Sequence, residues 1–211
     1  MTGTTALPSV AAGLLPQALA SFAQSHPYID VVIRDQLSGT LYQAMRERQI
    51  DLAITTPPED DAFYFAPILE DPVVLVVRKG GLLDNGLPAT WSILADHPFI
   101  AMSPNSSVRP LTDAAMIMAG VQARALYDCA QLTTLRALVE AGLGISALPE
   151  SAARMLLPGQ LSLRSLSDPV MTRTLGLTYP SSRTLAPAAQ SFASHFCAVR
   201  GIGASPMMAS G

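Results

Sequence analysis

Apolar residues recur along this chain at the spacings of helices and strands, and the junctions between the two are abrupt. In "LTTLRALVEAGLGISALPE", residues 132–150, Leu132, Leu135, Leu138, Val139 and Leu143 fall three or four apart, the period of one buried helical face. Gly142 follows where a helix end favours a left-handed residue without a Cβ, so the helix is expected to stop there. Ile145, Ala147 and Leu148 then read as a strand covered on both faces, and Pro149 with Glu150 as the start of another helix. Helix–strand–helix units of this kind build parallel sheets with helices on both sides. The roles of Gly142 and Gly144 are therefore expected to be architectural.

The same alternation runs through the rest of the chain. The pattern predicts a strand over 4–7, a helix over 10–24, a strand over 30–35, a helix over 39–47 and a strand over 52–55. Two extended runs follow, 63–68 and 73–78, before the turn-rich "KGGLLDNGLPAT". A second set predicts a strand over 99–102, a helix over 107–119, a strand over 123–127 and a helix over 131–142. One further strand precedes a helix over 186–199, whose stripe is Leu185, Ala188, Ala189, Phe192 and Phe196. Two α/β lobes of roughly one hundred residues each fit the usual domain size better than a single sheet of about ten strands. The last stretch, "GIGASPMMASG", has the small residues of a frayed end.

Composition narrows the function classes. Of 211 residues, 49% are hydrophobic and 14% charged, enough for a sizeable core. The formal net charge of −3, with no basic run, argues against a chain that holds nucleic acid alone. Twelve of the thirteen basic residues are Arg, a bias from which no chemistry follows. Cys129 and Cys197 are too few for a disulfide framework, so a reducing, cytoplasmic setting is expected. Pro8, Pro16 and the polar spacing of the N-terminal stretch speak against a signal peptide or membrane span.

Catalytic constellations are scarce. His26, His97 and His195 are far apart in sequence and make no metal-ligand spacing, and no nucleophile elbow or dinucleotide fingerprint is present. The acidic "PEDDAF" reads as a solvated loop. What recurs instead is a small hydroxyl residue where a strand hands over to a helix: Ser9, Ser38 with Thr40, Thr55 with Thr56, and Ser103, Ser106 and Ser107. Each alone is explained as an N-cap. Together they suggest a ligand site, because in open α/β sheets the carboxyl ends of strands and the amino ends of helices gather on one edge, where free amides and the helix dipole favour an anion.

The chain resembles the effector-binding domain of LysR-type transcriptional regulators. The residues that carry the likeness are "LPSVAAGLLPQALASFAQSHPYIDVVIRD", "GTLYQAMRERQIDLAIT", "LEDPVVLVVRKG", "LTTLRALVEAGLGISALPE" and "RTLGLTYPSSRTLAPAAQSF". They stand in the family's order and spacing and cover nearly the whole chain, "ALVEAGLGISALPE" being the most specific. The resemblance implies an α/β fold of two Rossmann-like lobes joined by two crossover strands, as in type 2 periplasmic-binding proteins. Residues 1–76 and 177–203 would form the first lobe, 77–176 the second and 204–211 a flexible tail, with the crossovers near Val76 and near Leu177.

Carried over position by position, the family's inter-lobe ligand contacts fall on Ser9 with the amide of Val10, on Thr40, on Thr55 or Thr56, and on Cys129 with its neighbours up to Gln131. Ser103, Ser106 and Ser107 would face the same cleft. Arg109 reads first as a solvated arginine and second as the partner of an anionic effector; Cys129 reads also as a small buried filler. The implied partner is a small molecule, a carboxylate or another anion, with no cofactor, no metal, no membrane and no catalytic role. The resemblance further implies a homodimer, or a tetramer at full length; the helices over 10–24 and 132–142 read as the interface or, alternatively, as core within the chain. DNA contact would belong to a winged helix-turn-helix with no counterpart before Thr4. Two rivals share the composition. A transporter's solute-binding protein would be preceded by a signal peptide, and an enzyme on the same lobes would turn over its ligand.

Overall fold

Strands form where apolar residues run unbroken or alternate, and helices where they recur every three or four. The computed structural model describes residues 2–35, 38–157 and 159–201. Its first elements are β1 (Thr2–Ala6), α1 (Pro8–Gly13), α2 (Leu15–Ser25), β2 (Val31–Asp35), α3 (Ser38–Arg46), β3 (Leu52–Thr55) and a long β4 (Phe63–Arg78). Next come β5 (Ala89–Thr90), α4 (Ile93–Asp96), β6 (Phe99–Met102), α5 (Arg109–Met118), β7 (Ala125–Cys129) and α6 (Leu132–Glu140). The chain ends with β8 (Ser146–Pro149), α7 (Glu150–Arg154), β9 (Leu161–Ser167), β10 (Thr172–Pro180) and α8 (Pro187–Val199). The tail expected over 204–211 lies outside the described residues.

Two compact units result, one of Met1–Glu70 with Thr174–Gly211 and one of Asp71–Arg173. The chain passes between them within β4, at Glu70–Asp71, and returns within β10, at Arg173–Thr174; the resemblance places these passages near Val76 and near Leu177.

In the first unit the strand order is β2-β1-β3-β10-β4. β1 runs parallel to β2 and β3, and β10 is antiparallel to β3. Adjacent residues of β3 feed opposite faces. Ile54 packs with Leu15, Phe22, Leu177, Phe192 and Phe196, whereas Ala53 packs with Leu41, Met45, Ile50 and Phe63. The sheet is thus buried on both sides, by α2 and α8 on one and by α3 on the other. Phe192 is fully buried and meets Phe22 edge to face at 5.3 Å.

The second unit repeats the principle. Residues 73–78 of β4 pair antiparallel with β8 on one side and β9 on the other, and β9 pairs with β5. β6 and β7 form a parallel pair joined to β8 through the Phe99–Ile145 bridge. The unbroken apolar run of β4 serves two cores at once: Val73, Leu75 and Val77 pack with Trp91, Phe99 and Ala147, and Val74 and Val76 pack with Ile100, Leu135 and Leu148.

Four local expectations are corrected. The helix over 10–24 is two helices broken at Leu14, because Pro16 has no N–H to continue the ladder and its ring crowds the preceding turn. The two runs over 63–78 are one sixteen-residue strand, because Asp71 between them is buried against a basic partner and stays extended. β9 was not foreseen. Leu143, read as part of the stripe of α6, is exposed, since the helix ends before it.

The junction after α6 shows the work of its two glycines. Gly142 takes φ +78°, its N–H donates to the Val139 carbonyl at 2.9 Å, and the Leu143 N–H donates to Leu138 at 3.1 Å. These are the two bonds of a Schellman cap. Gly144 is needed for closeness: a Cβ there would stand 2.3 Å from the Pro98 carbonyl oxygen.

Candidate functional site

Parallel pairing decides which residues share an edge. In the first unit Ala6 lies beside both Asp35 and Ile54, so β1, β2 and β3 end together and the segments holding Ser9, Thr40, Thr55 and Thr56 leave from one edge. Ser9 is buried in the first turn of α1; the Val10 N–H donates to the Leu7 carbonyl at 2.9 Å. Thr40 is exposed on α3. Thr55 is fully buried and Thr56 half-buried. Tyr42 on α3 donates to the Thr56 carbonyl at 2.6 Å. Burial pushes the Tyr42 phenol up to about 12, with the Thr55 and Thr178 hydroxyls pulling it partly back. The Thr55 hydroxyl influences Tyr42 without reaching ordinary hydrogen-bond geometry. Tyr42, Arg46, Thr56, Asp60 and Phe63 line a pocket of about 240 Å³, in which Arg46 is already paired with Asp60 at 2.5 Å.

In the second unit Met102 lies beside Cys129, so β6 and β7 also end together, and the Ser103 N–H donates to the Cys129 carbonyl at 2.9 Å. Ser106 is buried; its hydroxyl donates to the Ser103 carbonyl at 2.8 Å and accepts the Arg109 N–H at 3.2 Å, holding the approach to α5. Ser107 is half-buried. Gln131 is the exposed N-cap residue of α6 and makes no side-chain cap bond. Cys129 is buried at the end of β7; burial, and then the Asp128 carboxylate, push its thiol up, away from reactive thiolate character. The structure therefore brings Ser9, Val10, Thr40, Thr55 and Thr56 to one edge of the first unit, and Ser103, Ser106, Ser107, Cys129 and Gln131 to one edge of the second.

Arg109, expected first as a solvated arginine, is partly exposed and paired within the chain. Its Nε donates to Asp113 at 2.9 Å and its Nη1 to Asp128 at 2.6 Å; burial pulls its pKa down, but the two carboxylates outweigh this and raise it. Sequence reasoning missed Asp71, Ser151 and Arg173. The Asp71 carboxylate accepts the Ser151 N–H at 2.9 Å, the Ser151 hydroxyl at 2.7 Å and the Arg173 guanidinium at 2.6 Å. Their available signals were a charge interrupting each of two apolar strands and one more serine at a helix start. Among the described residues, no group of three or more His, Cys, Asp or Glu is placed to hold a metal ion. No described helix is long and apolar enough to cross a membrane.

Two α/β units joined by two crossover strands, each gathering strand ends and helix starts on one edge, make up the type 2 periplasmic-binding-protein-like fold. Solved structures of similar fold include two with small molecules bound. The effector-binding domain of QuiR, in complex with shikimate, superposes with a TM-score of 0.85 at 20% identity, covering 96% of this chain and 97% of that one. The CcmR regulatory domain of Synechocystis PCC6803, in complex with 2-PG, gives 0.85 at 20%, covering 94% and 96%. Residues 5–199 match the LysR substrate binding domain model, and the chain belongs to that family. Its curated relatives include the HTH-type transcriptional regulator YwbI of Bacillus subtilis, 25% identical over 189 residues that are 89% of this chain and 63% of the relative. The transcriptional dual regulator GltC of the same organism is 26% identical over 186 residues, 87% of this chain and 62% of the relative. The chain thus spans about three fifths of the length of the curated relatives it matches.

Proposed function

We propose that this chain is the effector-sensing part of a LysR-type transcriptional regulator. It binds a small carboxylate or other small anion through the hydroxyls and amides at the strand ends and helix starts of both units. The observation that carries the reading is the family match over 5–199, alongside neighbours of the same fold that hold shikimate and 2-PG. Shikimate is a carboxylate. Arg109 and Arg46 are already committed to carboxylates of this chain, so neutral donors such as Ser107 and Thr55 carry the recognition. The ligand is sensed and not turned over.

At full length the regulator works in the cytoplasm as a homodimer or tetramer, and effector binding biases the packing of its DNA-contacting part. The curated relatives named as HTH-type or dual transcriptional regulators support this reading over a transporter component. A thermal-shift screen tests it, with shikimate, benzoate and malate set against shikimate methyl ester and benzamide. The acids are expected to raise Tm in a dose-dependent way, and Thr55→Val to shrink the shift. Stabilisation by the uncharged compounds alone would overturn the anion reading, and an undiminished shift in Thr55→Val would remove that residue from the site.

A further inference from the structure

Asp71, the first residue of the second unit, and Arg173, its last, meet in a buried ion pair with side chains 2% and 4% exposed. Two serines complete the cluster. Arg173 Nη2 donates to Asp71 Oδ2 at 2.6 Å and to Ser151 Oγ at 3.3 Å, and Arg173 Nη1 donates to Ser107 Oγ at 3.2 Å. Ser151 gives its hydroxyl hydrogen to Asp71 at 2.7 Å and its N–H at 2.9 Å. Burial pulls the Arg173 pKa down and Asp71 pushes it back up; a guanidinium remains protonated in either case.

The direction of these bonds matters because arginine has five N–H donors and no acceptor, whereas a serine hydroxyl has one hydrogen and two lone pairs. Toward Arg173, Ser107 can only accept. Its hydrogen must point elsewhere, and among the described residues no acceptor receives it. Ser151 also accepts from Arg173, but its hydrogen goes to Asp71. Among the described residues at this strand-end edge, Ser107 is the one whose hydrogen Arg173 turns away from itself with no acceptor in the chain.

We propose that Arg173, held by Asp71 and Ser151, fixes the Ser107 hydroxyl as a hydrogen-bond donor, so that this part of the effector site selects an acceptor oxygen of the ligand. The proposal rests on Ser107 belonging to the effector site, and it deepens that reading by separating acceptor from charge. Arg173 is neutralised by Asp71, so a carboxylate, carbonyl or phosphoryl oxygen serves equally at this position. Arg173 and Asp71 are positioning residues.

Orientation can be tested without a ligand. In Ser107→Cys the guanidinium donates to Sγ and favours the thiolate. The thiol pKa, read from iodoacetamide alkylation against pH, is expected about one unit lower than in Ser107→Cys/Asp71→Asn/Arg173→Gln, which removes both charges together and avoids an orphaned buried ion. Cys129 and Cys197 are buried, and the unsubstituted chain supplies the blank. Equal pKa values in the two backgrounds would overturn the proposal. Ligand selection is read with shikimate by titration calorimetry. Ser107→Ala and Asp71→Asn/Arg173→Gln are each expected to weaken binding about tenfold, Ser107→Thr to retain it, and adding Ser107→Ala to the double variant to weaken it little further. Full additivity would overturn the link between Arg173 and Ser107. Undiminished binding in Ser107→Ala would place Ser107 outside the site, and no shikimate binding by the wild-type chain with the thiol shift intact would count against the effector reading and leave the orientation standing.

Discussion

Gly144 and Gly142 sit two residues apart and resist substitution for different reasons. At 142 the backbone is left-handed, and a Cβ there is strained by roughly 1 kcal/mol or more. At 144 the obstacle is the Pro98 carbonyl oxygen, 2.3 Å from an added Cβ, and relieving that overlap must shift strand backbone, an overpacking cost of about 1–3 kcal/mol. Gly144→Ala is therefore expected to lower the urea midpoint more than Gly142→Ala. Tyr42 sets a pH window. Its phenol titrates near 12 in the folded chain and near 10 when unfolded, so the unfolded chain loses its proton first. The stabilising contribution is whole below pH 10 and is lost as pH rises from 10 toward 12. Tyr179, also raised by burial, acts in the same direction, so the check is a comparison: Tyr42→Phe should flatten the fall in urea midpoint across that window relative to wild type. Arg109→Ala loses two half-exposed ion pairs and is expected to change stability by no more than about 1 kcal/mol. It should leave the response to organic acids intact, and loss of that response on calorimetric titration would return Arg109 to the site.

Helices and strands were legible to the extent that their cause is local. The stripes Leu135–Val139 and Phe192–Phe196, the glycine stop at 142 and the strand over 52–55 follow from spacing within one element, and all are present. Where a proline falls within an apolar period, spacing alone misleads. Pro16 breaks the first long helix, yet Pro72 does not break β4, because strand pairing with β8 and β9 holds the following residues extended. β9 was hidden because Ser165 stands where the alternation of Leu161 and Leu163 requires an apolar residue, and Arg164 occupies a position that reads as solvent-facing. In the structure the guanidinium is buried and donates to the Leu87 carbonyl at 2.6 Å and the Leu83 carbonyl at 3.0 Å, a role for a charge that no local period encodes. Within α8, Phe192 joins that helix to α2 through Phe22. Phe192→Ala is expected to destabilise by about 3–5 kcal/mol, measured by chemical denaturation. A loss under about 1 kcal/mol would show that α8 packs loosely.

Across the molecule, the strands of each unit are buried on both faces, and the recurrence of this plan was visible as two rounds of strand and helix. The family likeness was carried by long segments in order, and residues 5–199 match its model. Ten candidate site positions were expected, seven of them hydroxyls at strand–helix junctions and the other three, Val10, Cys129 and Gln131, implied by the family likeness; parallel register brings five to one edge of each unit. Which donors are already engaged was not visible. Asp71 and Arg173 are 102 residues apart, and Arg109 and Asp128 are 19 apart; each pairing depends on where strands fall side by side. Periodicity, caps and breakers are properties of a few consecutive residues, so the order of residues alone was enough to give most of the elements and the two rounds of strand and helix, and to suggest an edge where helix starts gather. The partner of each buried charge, and hence the direction of each hydroxyl, depends on distances across elements that exist only once the sheets have assembled.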